Sequence, residues 1–160
     1  VTTTAAYGWG RSHLDTTPMG EVDLDPAGRL AVQQTLARYA FALDHGDLVA
    51  LGDTLTEGAT WTADIAGHVE QGPVVGRAAI RNLVREAAEA QTDQRRHNLI
   101  NTVFRRAGAG AAVVSAYLML TSNAGGKATV IATGFYTFTL EDADGEWRIA
   151  KVFLGLDNAV

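Results

Sequence analysis

The apolar positions change their period along the chain, and each change marks a new element. After Asp25-Pro26, Val32, Leu36, Ala40 and Leu43 recur at helical spacing. Asp25 offers an N-cap oxygen and Pro26 suits the first helical position, so a helix is predicted from there to Gly46. Gly46 ends it, and Asp47 caps a short second helix from Leu48 to about Leu55. Two extended pieces follow, Ala59–Ile65 and Val69–Val75, with Gly67 in the turn between them. Gly72-Pro73 makes the second piece an edge strand or a bulge. After Gly76, Ile80, Leu83, Val84, Ala87 and Ala88 form the buried stripe of a third helix.

From Arg96 onward the pattern becomes that of strands: Arg96–Arg106, Ala111–Ser122, Lys127–Glu141 and Glu146–Leu156. Each connection carries the Gly, Asn or Asp that tight turns require. Helices first and a long antiparallel meander last predict an α+β fold, with helices packed on one face of a curved sheet. Residues 1–24 lack periodicity and read as a tail or an arm on a neighbouring subunit, although Tyr7 and Trp9 are unusual there. Residues 25–160 read as a single domain with no repeat or internal linker.

Length and composition fit that reading. A chain of 160 residues with 47% apolar content can bury a core in one domain. The net charge of -5 argues against a nucleic-acid or anionic-membrane partner, and the pairs Arg95-Arg96 and Arg105-Arg106 read as solvated strand ends. The chain has no cysteine, which removes disulfides, thiolate metal sites and thiol nucleophiles. The residues before Pro26 hold no apolar run of signal-peptide or membrane-span length, so a cytoplasmic protein is expected.

Four local motifs, in this order, carry a resemblance. They are Arg38-Tyr39-Ala40-Phe41-Ala42-Leu43-Asp44-His45-Gly46-Asp47, Gly72-Pro73-Val74-Val75-Gly76-Arg77, Arg96-His97-Asn98, and Gly145-Glu146-Trp147-Arg148-Ile149. With the element order, they make residues 25–158 similar to the SnoaL-like proteins of the nuclear transport factor 2-like superfamily. Scytalone dehydratase and bile-acid dehydratase are enzymatic relatives in that group. The resemblance implies a cone-shaped curved sheet, mixed or antiparallel, with three helices on its concave side. It also implies an acid–base site built from Asp44, His97 and Tyr39.

The residues can be weighed beside that resemblance. Asp44 lies about 40° from Ala40 on the helical wheel, at the margin of the apolar arc. An acid in the last helical turn opposes the helix dipole, so mere exposure there has no benefit. The structural alternative is an ion pair with Arg38 or a cap for the next helix. Tyr39, on the other margin, either packs in the core or donates its hydroxyl to a substrate carbonyl. Strict alternation puts His97, Leu99, Asn101 and Val103 on one strand face. A lone His at a strand start is commonly structural; held by Asp44, its imidazole becomes an oriented base.

Trp61, Tyr117, Met119 and Asn101 are the expected substrate-binding residues, although parity does not say which sheet face is concave. His13, His45 and His68 lack metal-ligand spacing, so neither a metal nor a cofactor is expected. The reading that follows is a cofactor-independent dehydratase, isomerase or cyclase. Its substrate is an apolar carbonyl compound, and the resemblance suggests an aromatic polyketide or similar secondary metabolite. The alternatives are a non-catalytic small-molecule binding module and a subunit scaffold of the same fold. An apolar outer sheet face that the helices cannot cover predicts a homo-oligomer, dimer or trimer.

Overall fold

A computed structural model describes residues 8–160. Tyr7 lies outside the described residues. The elements run α1 (Trp9–Thr16), α2 (Pro26–His45), α3 (Leu48–Asp53), β1 (Leu55–Ile65), β2 (Val69–Val75), α4 (Arg77–Ala90), β3 (Gln94–Gly108), β4 (Ala111–Ala124), β5 (Lys127–Ala143) and β6 (Glu146–Leu156). The strands form one six-stranded sheet in the order β2-β1-β6-β5-β4-β3. β1 runs parallel to β6, and every other neighbouring pair is antiparallel. The fold is therefore α+β with a mixed sheet. No helix among the described residues is long and apolar enough to cross a membrane.

The expected punctuation of the helices is present. The Asp25 carboxylate accepts a hydrogen bond from the Gly28 N–H at 2.6 Å and starts α2. Gly46 ends α2 in the left-handed region, at φ 62, where glycine carries no Cβ penalty. Asp47 then accepts from the N–H groups of Val49 and Ala50 and starts α3.

One face of the meander forms the core. Ala112, Val114, Ala116, Leu118 and Leu120 of β4 are buried, as are Ala132, Tyr136, Phe138 and Leu140 of β5. Val32, Leu36, Tyr39 and Ala42 of α2 pack onto that face. Burying each large apolar side chain contributes about 1.5–3 kcal/mol, so this contact holds α2 against the strands. The Thr35 hydroxyl ties the helix to β6 by donating to the Trp147 carbonyl at 2.9 Å. In α4, Ile80 alone of the expected stripe is fully buried.

The opposite face differs from expectation in two ways. First, the segment read as an aperiodic tail contains helix α1, which docks on the sheet. His13 stacks on Phe153 at 4.1 Å between centroids, and Trp9 packs against Phe135 at 5.7 Å. Second, the face is not broadly apolar. Ser115 and Thr137 pair their hydroxyls at 3.1 Å, and Arg105 donates to Ser115. α1 covers Phe135 and Phe153 and hydroxyls sit on the strands beside them, while Tyr117 on this face stays 51% exposed.

Candidate active site

Asp44 stands in the last turn of α2, and its main-chain carbonyl accepts from the Gln94 side chain at 3.2 Å, where β3 begins. This brings the helix end onto the first residues of β3. His97 Nδ1 then lies 2.7 Å from Asp44 Oδ1. The His97 backbone N–H donates to both carboxylate oxygens, at 3.0 Å and 3.2 Å. The pair is largely enclosed: the Asp44 side chain is 7% exposed and that of His97 is 18% exposed.

This geometry selects a tautomer. An ionised carboxylate only accepts, so Nδ1 must carry the proton in the neutral imidazole and Nε2 keeps its lone pair. Nε2 has no hydrogen-bond partner among the described residues. The arrangement supplies a base at Nε2 and, once that nitrogen is protonated, an acid beside an anion that stabilises the imidazolium.

A groove of about 310 Å³ runs between α2 and β3, with His97 among its lining residues. Gln33, Leu36, Ala37, Ala40 and Phe41 line it from α2, and His97, Asn98, Leu99, Ile100 and Thr102 along β3, so its walls are part polar. Neither Tyr39 nor Trp61 lines it.

The other expected site residues are placed as follows. Tyr39 is buried, 2% exposed, with its ring edge-on to Tyr136 and Phe138. Burial pushes its phenol well above the usual range, and a hydrogen bond with the Trp61 side chain offsets this in part. Its hydroxyl therefore stays protonated but faces Trp61 in the interior rather than the groove. Trp61 is partly buried and packs against the same core.

Tyr117 and Met119 alternate with the buried Ala116, Leu118 and Leu120, so they lie on the opposite face of β4 from α2. Tyr117 is 51% exposed there. These two cannot line a hollow on the concave side. Asn101 is exposed, with φ 53, where the β3–β4 register shifts between Ile100 and Val103. The bulge breaks the alternation that would place Asn101 beside His97.

Tyr136 is not among the expected site residues. It is 2% exposed and its phenol is also pushed up, first by burial and then by the nearby Tyr39 and Asp44. The available signal was its polar tip within the series Ala132, Gly134, Tyr136, Phe138, Leu140. Among the described residues, no group of three or more His, Cys, Asp or Glu converges in a way that could hold a metal ion.

Comparison with known proteins agrees with this architecture. A family model described as the SnoaL-like domain matches residues 27–152. Aln2 from a Streptomyces species is 26% identical, with a TM-score of 0.72 over 84% of this chain and 94% of that one. A protein from Catenulispora acidiphila, solved in complex with S-DNPA, is 26% identical, with a TM-score of 0.71 over 83% of this chain and 96% of its own. A structure from Nostoc punctiforme, described as a protein of unknown function with a cystatin-like fold, is 15% identical. Its TM-score is 0.74, covering 88% of this chain and 98% of that one, which shows the shared fold. No curated protein matches the chain.

Proposed function

The chain belongs to the SnoaL-like domain family, and on that premise we propose that it is a cofactor-independent acid–base enzyme acting on an apolar carbonyl compound. The observation that carries this reading is the 2.7 Å contact between His97 Nδ1 and Asp44 Oδ1, with Nε2 left without a protein partner.

In the proposed step, Nε2 removes a proton from the carbon next to a carbonyl. The C–H electrons move to that carbon and on to the carbonyl oxygen as an enolate. Asp44 stabilises the imidazolium that forms. In a dehydration, the enolate then expels a β-hydroxyl group, which takes the proton from Nε2 and leaves as water. In an isomerisation, the same proton returns to a different carbon. A positioned base of this kind contributes about 10²–10⁴-fold in rate. The SnoaL-like resemblance supports an aromatic polyketide or a related secondary metabolite as the substrate class.

The ring-opening elimination of 5-nitrobenzisoxazole tests for such a base, since it needs only one proton removed from carbon as the N–O bond breaks. The wild type should exceed free imidazole at equal pH. His97→Ala and Asp44→Asn should each lose at least about 100-fold in kcat/KM with the fold intact. A wild-type rate no higher than that of imidazole, or both variants at the wild-type rate, would refute the reading.

A further inference from the structure

A buried hydroxyl without a partner calls for a reason, because burial strips its water and returns nothing. Tyr136 presents such a hydroxyl. The residue is 2% exposed, and its ring stacks on Phe138 at 5.0 Å between centroids. No hydrogen bond among the described residues engages its oxygen, and none offsets the upward pull of burial on its pKa. The polar atoms sealed off without a partner among the described residues are Trp9 Nε1, Asp64 Oδ1, Arg77 Nε and Arg81 Nε. The Tyr136 oxygen is not one of them, so the little surface that Tyr136 keeps includes its hydroxyl.

The sheet register puts this hydroxyl on the same face as the acid–base pair. Tyr136 lies opposite Ala116 on β4, and His97 lies opposite Leu120. Ala116 and Leu120 share a parity and are both buried, so the Tyr136 and His97 rings point to the side that α2 covers. Burial first, then Tyr39 and Asp44, keeps the Tyr136 phenol protonated. Asp44, which binds His97 at 2.7 Å, therefore stands near both. Tyr39, the donor that the resemblance implies, has its oxygen engaged by the Trp61 side chain instead.

We infer that Tyr136 is a substrate-binding residue that donates its O–H to the substrate carbonyl oxygen, in place of Tyr39. This rests on the acid–base reading above and adds a residue to it. When Nε2 takes the proton from carbon, the electron pair ends on that oxygen. The Tyr136 hydrogen bond strengthens as the charge grows, and its own proton stays on the phenol. The His97–Asp44 pair is by then net neutral, so the new anion meets no net negative charge beside it.

Titration with 2-acetylnaphthalene, labelled with carbon-13 at its carbonyl, tests this contact. The control ligand is 2-ethylnaphthalene, which lacks the oxygen. The wild type should bind the ketone saturably and move its carbonyl resonance downfield, as donation to that oxygen does. Tyr136→Phe should cancel most of the displacement and weaken ketone binding by about threefold or more. Hydrocarbon binding should stay at the wild-type level, which a merely structural role for the hydroxyl does not predict. Tyr39→Phe should leave the displacement in place. In the wild type itself, tyrosine labelled at Cζ should show the Tyr136 signal shifting with the ketone but not with the hydrocarbon. No saturable ketone binding, a displacement retained in Tyr136→Phe, or equal weakening of both ligands would overturn the inference. His97→Ala should keep the displacement, and its turnover bears on the acid–base reading alone, so the two can fail separately.

Discussion

His97 holds Asp44 twice, through its ring Nδ1 at 2.7 Å and through its own backbone N–H at 3.0 Å and 3.2 Å from the two carboxylate oxygens. The backbone grip fixes the carboxylate against the strand, and the fixed carboxylate then orients the ring. One residue thereby sets the position of the acid that sets its tautomer.

Removing the carboxylate should therefore cost stability as well as activity. Asp44→Ala leaves the His97 N–H and ring N–H without acceptors in an enclosed site, a loss of about 1–3 kcal/mol. Asp44→Asn keeps one acceptor oxygen and should lose less. Urea unfolding should rank the midpoints wild type, then Asn, then Ala, at a constant m-value. Equal midpoints would mean that the grip adds nothing to folding.

The interior tyrosines predict sensitivity to alkali. Burial raises the phenols of Tyr39 and Tyr136 above their ordinary value of 10.0, with the neighbouring Tyr39 and Asp44 adding to the shift at Tyr136. The folded state then keeps protons that the unfolded state releases. This contribution is complete below pH 10.0 and is lost as pH rises above it. Urea midpoints should fall between pH about 9 and 11, and Tyr39→Phe or Tyr136→Phe should reduce that fall. A fall unchanged in both variants would locate the alkaline sensitivity elsewhere.

Docking of α1 should weaken in acid. His13 lies between Phe153 and Phe135, and burial lowers its pKa from 6.5, with the nearby Asp64 opposing that shift. A base with a depressed folded pKa contributes stability above its unfolded value and loses it as pH falls. Once corrected for intrinsic rates, hydrogen exchange at the α1 amides should show less protection at pH about 5.5 than at about 7.5. His13→Phe should remove the difference. Equal protection in the wild type would show that the ring's charge does not govern docking.

Much of this is legible in the sequence because single residues with strong local preferences mark it. Asp25-Pro26, Gly46 and Asp47 bound α2 and α3 through capping chemistry that needs no tertiary partner. The bounds of β6, Glu146–Leu156, follow from the sequence because a tight turn precedes the strand. Resemblance singles out Asp44 and His97, with helical phase in support, and the structure brings them together across 53 positions.

What stays hidden depends on long-range geometry. Alternation is symmetric, so nothing local says that Tyr117 and Met119 face away from α2 while Tyr136 faces toward it. The bulge at Asn101 arises from how β3 pairs with β4, and it reverses a parity argument that assumes a regular strand. Helix α1 has no periodic apolar stripe of its own. Trp9 and His13 find their partners on Phe135 and Phe153, more than a hundred residues away along the chain.

The account rests on a neutral imidazole that carries its proton on Nδ1 and presents a free Nε2. A long-range proton–nitrogen correlation spectrum of the His97 ring reads this directly, at a pH where the ring is neutral. The account predicts a protonated-type Nδ1 and an unprotonated-type Nε2 in the wild type, with the preference weakened in Asp44→Asn. A spectrum with the proton on Nε2, or one unchanged by Asp44→Asn, would contradict it.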